Sequence, residues 1–294
     1  MLSGRKVTYM ASLRSIKSRK SSIQSTQQIT KAMKLVSTVK LQRAKSRAEQ
    51  SKAYFSCMYD TVQSMLAKAG TIVHPYVQGN DSKKKAVIVI TSNRGLAGGY
   101  NSNVVKLITQ GALKDEELKI YTVGKKGRDG LTKHGYEMAD DYSDMIEEPV
   151  YFEAMQIANK VLSDYVNGEV GEIYLAYTAF KNTVSHIPTL TKLLPIEAKE
   201  AAVEEKTSRA PMGFELDEAE ALELLVPKYL SSLVFGGMVE SVASENGARM
   251  QAMDSATSNA EEMIENLTLL YNRARQGSIT QELTEIIAGA EAIS

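Results

Sequence analysis

The sequence predicts an α/β protein with long helices, which combines an antiparallel coiled coil of the N- and C-terminal helices with a Rossmann-like α/β domain that has a mainly parallel sheet. Three observations support this fold class. All six prolines of the 294-residue chain lie between positions 75 and 227, so both ends lack the strongest helix breaker. Short apolar runs alternate with helical patterns in the middle. The ends carry opposite charge: residues 1–52 hold thirteen Lys and Arg against one acid, and residues 240–294 hold nine acids against three Arg.

The first element is a long basic helix from about Ala11 to Ala69, which Gly70 would end. Helix-favouring Lys, Arg, Gln and Ala fill the segment. At 1.5 Å per residue the helix would be about 85 Å long, more than one compact domain needs. We therefore expect a basic N-terminal coiled-coil helix within residues 1–84. Its apolar residues recur at three- to four-residue spacing, for example Ile29, Met33, Val36 and Val39.

The basic charge of this helix also allows other interpretations. Clustered Lys and Arg could form a nucleic-acid-binding arm, although only Tyr9 could stack on bases before Tyr54 and Phe55. A segment rich in Arg and Ser and poor in acids could be a mitochondrial transit peptide. It could also be the solvated face of a long helix. The long uninterrupted helical pattern favours an element of the mature protein, but the charge alone leaves these alternatives open.

The middle of the chain, residues 85–210, is expected to form one α/β domain. The run Ala86–Ile90 is apolar on both faces, as in a central parallel strand. Strands that alternate with helices predict βαβ units and a Rossmann-like domain. Residues 197–223 are acidic and polar and are expected to be a linker. The expected strands are 86–90, 118–123, 173–180 and 192–196, and the expected helices are 103–113, 125–134 and 151–165.

A glycine-rich turn follows the first strand and raises the question of nucleotide binding. Gly95, Gly98 and Gly99 match neither G-x-G-x-x-G nor the P-loop, because Tyr100 follows where a P-loop needs Lys. The second strand is followed by Gly124 rather than by an acid that could hold a ribose. The pattern favours glycines that permit a tight turn from strand to helix. A nucleotide-binding enzyme or regulator is the alternative.

The remaining candidate chemistry is sparse. Three scattered histidines and one cysteine cannot be assembled into a nucleophilic triad or a metal site. We therefore expect no catalytic, cofactor-binding or metal-binding residues. Cys57 is expected to be a small core residue, and no apolar run approaches the roughly 18 residues that span a bilayer. An acidic cluster is expected to be solvated surface rather than a cation site; it comprises Asp140, Asp141, Asp144, Glu147 and Glu148.

The last element, within residues 211–294, is predicted to be a second coiled-coil helix. Ten positions follow an alternating four-three spacing, and eight of them are apolar or alanine. A sustained period of 3.5 residues is typical of a left-handed coiled coil, which needs a partner helix. The basic N-terminal helix, running antiparallel, is the expected partner. The ten positions are Val242, Asn246, Arg249, Met253, Ala256, Ala260, Met263, Leu267, Leu270 and Ala274.

Four motifs resemble the gamma subunit of F-type ATP synthases of the bacterial type. They are SIQSTQQITKAMKLVSTVKLQRA (22–44), TSNRGLAGGYN (91–101), SENGARMQAMDSATSNAEEMI (244–264) and YNRARQGSITQELTEIIAGAEA (271–292). Together they cover both ends and the glycine turn in the family's order. The middle of the chain, from about 125 to 215, is similar only in pattern.

The resemblance implies a central rotor shaft that couples ion flow through a membrane ring to rotational catalysis of ATP synthesis on an alpha/beta hexamer. It implies a non-catalytic subunit of the proton-transporting two-sector ATPase, with no cofactor of its own. The implied partners are the alpha, beta, epsilon and delta subunits and the membrane c-ring, with no nucleic acid. Membrane contact would come only through partners, at the cytoplasmic face of the bacterial plasma membrane.

The resemblance also implies partner-binding residues, carried over by motif. Contacts with the beta subunit are expected on both terminal helices. A weaker match suggests contacts with epsilon and the c-ring before the C-terminal helix. The beta-facing residues are Met33, Lys34, Arg249, Arg275, Gln276, Thr280, Glu282 and Glu285, and those facing epsilon and the c-ring are Phe214 and Glu215.

Overall fold

The computed structural model describes residues 2–68, 74–196 and 218–292. The first element of the chain is a long helix, α1 (Leu2–Lys68), and the last is another, α6 (Glu218–Glu291). The other elements lie between them in the sequence. The expected fold class is confirmed. These other elements are α2 (Pro75–Gln78), β1 (Lys85–Ile90), α3 (Tyr100–Thr109), β2 (Leu118–Val123), α4 (Lys125–Lys133), β3 (Met138–Asp141), a 3-10 turn (Ser143–Met145), α5 (Tyr151–Val166), β4 (Glu172–Phe180) and β5 (His186–Leu194).

The chain divides into two compact units, to which both long helices contribute. The paired-helix unit comprises residues 1–36 and 250–294, and the α/β unit comprises residues 37–249. Each long helix therefore supplies one segment to each unit. The three sequence ranges expected above, 1–84, 85–210 and 211–294, stay a prediction about folding domains.

The α/β unit is built on a five-stranded sheet with the order β3-β2-β1-β4-β5. The first four strands in this order run parallel, and β5 is antiparallel to β4. Strand order reverses between β1 and β4, because the chain builds outward from β1 to β3 and then returns to the other side of β1. Proteins of this architecture bind ligands in the crevice at such a switch point.

Alternating side chains of the central strand β1 pack into two separate hydrophobic cores, one on each face of the sheet. Val87 and Val89 pack with α3 and α4 on one face of the sheet. Ile88 and Ile90 pack with α5, α6 and part of α1 on the other. A strand buried on both faces must be apolar throughout, which explains why this run was the clearest strand signal in the sequence.

The inner strands were predicted well and the edge strands poorly. Strand β2 has the predicted bounds, and β1 and β4 begin one residue earlier than predicted. The strand expected at 192–196 was misplaced, since β5 runs from His186 to Leu194. Strand β3 was missed because its sequence, MADD, carries two of the acids assigned to a surface cluster. Edge strands tolerate charge and proline, so their apolar pattern is weak.

The paired-helix unit is antiparallel, as expected. The Thr30 and Thr257 hydroxyls lie 2.8 Å apart, and Lys34 Nζ lies 2.6 Å from Asp254 Oδ1. A step of four residues forward along α1 is therefore matched by a step of three residues backward along α6. This geometry requires helices that run in opposite directions.

The predicted seven-residue period of α6 is confirmed, but two of its ten seam positions were assigned one residue too early. Met253 and Ala260 are buried, whereas the predicted seam residues Met263 and Leu270 are 52% and 50% exposed. The neighbours Ile264 and Tyr271 are the more buried residues. The prediction was wrong at these two positions because two alternating spacings pass through 260, 267 and 274, and only the position of α1 decides which of them is buried. The buried and half-buried positions from 253 onward are 253, 256, 257, 260, 264, 267, 268, 271, 274, 278, 281 and 285.

Three of the four apolar residues that indicated the period of α1 lie on its outside, and only Met33 is half-buried. Ile29 is 59% exposed, and Val36 and Val39 are also exposed. The buried positions of α1 hold Thr30, Ser37, Leu41, Ala44 and Val62. The pattern therefore predicted the helix correctly but not the side that packs.

Three further expectations need correction. Cys57 is exposed rather than in the core. Pro227 lies inside α6, although the prolines were taken to mark the region between the helices. Within the described residues, one helix, Glu220–Ala290, contains an 18-residue window that is long and apolar enough to cross a membrane, and 56% of that window is buried inside the chain. Burial of this kind is typical of a core helix.

Candidate functional site

The N–H groups at the start of α4 are used to hold the residues that lead from β1 into the glycine turn. At the start of α4, the Lys125 N–H donates to Asn93 Oδ1 at 3.0 Å, the Lys126 N–H to Ser92 O at 3.0 Å, and the Gly127 N–H to Thr91 Oγ1 at 2.8 Å. A phosphate cradle would use such N–H groups. Here they bind the three residues that follow β1, so they are not free for a phosphate.

Gly124, the residue that follows β2, allows the backbone there to pack closely against the end of β1. Gly124 has φ +124°, and a Cβ there would lie 2.2 Å from Thr91 O. A Cβ on Gly127 would lie 2.7 Å from Thr91 Oγ1. Both glycines let the strand-to-helix turn after β2 approach the end of β1. In the glycine turn itself, Gly98 has a φ of +56°, a conformation that glycine adopts readily.

The switch-point crevice is filled by α6 rather than open to a ligand. Arg249, whose side chain is 11% exposed, donates to Gly95 O at 3.2 and 3.3 Å and to Glu245 Oε1 at 2.6 Å. Tyr100 is buried beside this pair and hydrogen-bonds Ser241. Burial raises the pKa of Glu245, although the nearby Arg249 guanidinium favours its charged form. Burial likewise raises the pKa of Tyr100.

The acidic cluster is divided among separate partners. Asp141 accepts hydrogen bonds from Ser143 and Thr122 and pairs with Arg128 at 2.6 Å. These partners lower the pKa of Asp141, although burial acts against them. Among the residues that the structure describes, no three His, Cys, Asp or Glu side chains are grouped to hold a metal ion.

The outer surface of the paired-helix unit carries many exposed apolar side chains. On α1 this surface includes Ile29, Leu35 and Val36. Apolar patches of this kind mark surfaces that another molecule covers. The exposed apolar residues of α6 in the same unit are Met263, Leu269, Leu270, Ile279, Leu283, Ile286 and Ile287.

The beta-facing residues predicted near the C-terminus share this outer surface. Arg275, Gln276, Thr280 and Glu282 are all exposed. Glu285 is half-buried and accepts a hydrogen bond from Gln281 at 2.9 Å. The structure thus places a group of polar side chains among exposed isoleucines and leucines on one stretch of α6.

The other predicted site residues have different surroundings. Met33 and Lys34 are half-buried on α1, and Lys34 pairs with Asp254. Arg249 belongs to the α/β unit, where its described contacts are all within the chain. Phe214 and Glu215 lie outside the described residues. No local sequence signal could have indicated the Arg249 contact, because its acceptor Gly95 lies 154 positions away.

Comparison with protein families gives a match over nearly the whole chain. A family described as ATP synthase matches residues 12–293. The ATP synthase gamma chain of Lachnoclostridium phytofermentans is 60% identical over 291 residues, which cover 97% of this chain and 100% of that protein. The sodium ion specific ATP synthase gamma chain of Acetobacterium woodii is 40% identical, with 95% and 98% covered.

Solved structures with a similar fold come from mitochondrial ATP synthases. A chain in the central stalk and c-ring structure from Tetrahymena thermophila has a TM-score of 0.58 at 25% identity, covering 78% of this chain and 99% of its own. A chain from the Euglena gracilis enzyme has a TM-score of 0.69 at 21% identity, with 96% and 95% covered. The second similarity concerns the fold alone.

Proposed function

This chain belongs to the ATP synthase gamma chain family, and on that premise we propose that it is the central rotor shaft of an F-type, proton-transporting ATP synthase. In this role it couples ion flow through a membrane ring to ATP synthesis on an alpha/beta hexamer. It is a non-catalytic subunit. The observation that carries the proposal is the antiparallel helix pair with an apolar outer surface, in a chain 60% identical over its length to a gamma chain.

A shaft of two unlike helices can act on three identical catalytic subunits because it presents a different surface to each. The shaft can shift the conformational equilibrium of a catalytic subunit only if the free energy of its contacts differs between the two conformations of that subunit. A shift from 1:99 to 99:1 requires about 5.5 kcal/mol of differential contact. Burial of about two to four leucine or isoleucine side chains supplies that amount. The exposed apolar residues of α6 are sufficient in number.

The same surface supports contacts with the beta subunit. We assign these contacts to the exposed polar residues Arg275, Gln276, Thr280 and Glu282, with Glu285, Met33 and Lys34 as further candidates. A guanidinium can pair with a carboxylate through two parallel hydrogen bonds, which suits Arg275 to a fixed orientation. Arg249 is assigned an indirect part in this contact, since its described hydrogen bonds hold the glycine turn.

The remaining partners are proposed from family membership. They are the alpha, epsilon and delta subunits and the c-ring, with Phe214 and Glu215 facing epsilon and the c-ring. The chain then lies at the cytoplasmic face of the bacterial plasma membrane and contacts the membrane only through its partners. The family relation also argues against the nucleic-acid and nucleotide-binding alternatives.

The experiment that tests this function compares two double variants of the assembled complex. Arg275→Ala with Gln276→Ala should lower coupled ATP turnover roughly five- to thirtyfold, as loss of about 1–2 kcal/mol at an interface centre would. The matched control is Asn266→Ala with Arg273→Ala, which removes one amide and one guanidinium as the test pair does, both exposed and both on the side of the helix opposite Arg275. Equal turnover in both double variants and the wild type would contradict the assigned contact.

A further inference from the structure

Strand β4 continues past the end of its central neighbour. The pairing of β1 with β4 ends at Val89 and Ala176, whereas the pairing of β4 with β5 continues to Phe180 and His186. The last residues of β4 therefore have backbone N–H and C=O groups on the β1 side with no strand from the described part of the chain beside them. Buried backbone groups of this kind need another partner.

Helix α6 supplies that partner through three side chains. The Thr178 N–H donates to Ser241 Oγ at 3.4 Å, and Ser244 Oγ donates to Thr178 O at 3.1 Å. The Phe180 N–H donates to Glu240 Oε2 at 3.2 Å. Both serines are fully buried. One stretch of α6 thus takes the place of the missing strand.

Two glycines bring α6 close enough for these bonds. A Cβ on Gly237 would lie 3.0 Å from Leu175 Cδ2, at the sheet. A Cβ on Gly247 would lie 2.7 Å from His186 Cε1, at the start of β5. Larger residues at either position would push the helix away from the strands.

We infer that residues 237–249 of α6, which we call the anchor segment, fix the helix to the sheet through directional hydrogen bonds. Torque applied to the α/β unit then rotates α6 together with the sheet, and the helix neither turns nor slides against the strands. This inference rests on the proposed function, in which α6 also supplies the shaft. Apolar contacts are non-directional and would let a helix turn or slide. Hydrogen bonds depend on angle and resist both movements. Ser241, Ser244 and Glu240 are therefore positioning residues.

The same helix offers a matched control. Ser231 and Ser232 are also buried, but their hydroxyls donate to Pro227 O and Lys228 O in their own helix and hydrogen-bond Tyr151 of α5 rather than the sheet. Ser231→Ala with Ser232→Ala removes two buried hydroxyls from α6. It leaves the bonds between α6 and β4 in place.

The first test measures torsional stiffness in the assembled complex. The hexamer is immobilised, and a rod is attached to the α/β unit through Lys133→Cys in a Cys57→Ser background. Without nucleotide, Ser241→Ala with Ser244→Ala should at least roughly double the variance of the rod angle, because two of three directional bonds are lost. The Ser231 and Ser232 control should keep the background variance. Equal variance in both would overturn the anchor.

The second test does not depend on assembly or rotation. In the full chain, Glu240→Met should speed hydrogen exchange of the Phe180 amide roughly tenfold, and Glu240→Gln, which keeps an acceptor oxygen, should not. Unchanged exchange in Glu240→Met would also overturn the anchor. The proposed function is tested by a different result. It fails if the rod does not rotate when ATP is added to the complex that carries only Lys133→Cys and Cys57→Ser.

Discussion

Removal of one buried carboxylate should destabilise the α/β unit in a pH-dependent way. Asp164 is 3% exposed and lies 2.7 Å from Lys119 Nζ and 3.3 Å from Lys160 Nζ, and it also accepts a hydrogen bond from Tyr121. Asp164→Asn keeps the shape but removes the charge. Lys119 would retain only Glu169, at 2.6 Å.

The expected cost follows from these contacts. A hydrogen bond to a charged group contributes about 1.5–3 kcal/mol. Lys160 is half-exposed, so its share is small, and Lys119 keeps one partner. We therefore expect a loss of about 2–3 kcal/mol. For a unit of this size, each kcal/mol lowers Tm by about 2–4 °C, so Tm should fall by about 4–12 °C.

The loss should depend on pH with a defined sign. Burial acts to raise the pKa of Asp164, but the hydrogen bonds from Lys119, Tyr121 and Lys160 together hold it below its ordinary value. The stabilisation is therefore fully present above the unfolded pKa of about 3.9 and is lost as pH falls through the lower folded pKa. The difference in Tm between wild type and Asp164→Asn should shrink in strong acid.

Thermal unfolding of the full chain, followed by circular dichroism between pH 3 and pH 8, measures both effects. The matched control is Asp129→Asn, an exposed partner of Arg128, which should leave Tm nearly unchanged. An Asp164→Asn Tm within experimental error of wild type at neutral pH would refute the reasoning. So would a loss that is the same at all pH values.

The remaining predictions concern α6. Gly247→Ala should destabilise the full chain by about 1–3 kcal/mol, because its Cβ would meet the His186 ring. Gly277→Ala, where a Cβ meets nothing within 4 Å, should stabilise it by about 0.5–1 kcal/mol, and urea unfolding of both variants checks the opposite signs. Arg249→Ala leaves the Glu245 carboxyl buried without its cation. Burial raises the pKa of Glu245 above its value in the unfolded chain. The variant should therefore lose stability as pH rises through the pKa that Glu245 has in the folded protein. Equal losses at pH 5 and pH 8 would contradict this.

The parts of the fold that the sequence predicted are those set by local periodicity. Strand β1 is buried on both faces and β2 lies beside it, so their apolar runs are unambiguous. Strand β5 contains Pro188 and lies at an edge, where the missing N–H costs little, so its start was not recognised. The seven-residue period of α6 was visible, but the choice between Met263 and Ile264 depends on where α1 lies.

The candidate site was accessible to sequence reasoning only through resemblance. Arg275 and Gln276 have no feature that separates them from other exposed polar helix residues except their motif. The inward turn of Arg249 could not be predicted, because it depends on carbonyl groups brought close by the fold. Ser241 and Ser244 were missed for the same reason, since their partner is the backbone of a distant strand.

Direct observation of rotation tests the central claim most directly. Cys57 is the chain's only cysteine and is exposed, so a rod can be attached there without substitution. With the alpha/beta hexamer fixed to a surface, the account predicts that added ATP turns the rod continuously in one direction. ATP hydrolysis by the same complexes with no net rotation of the rod would contradict the account.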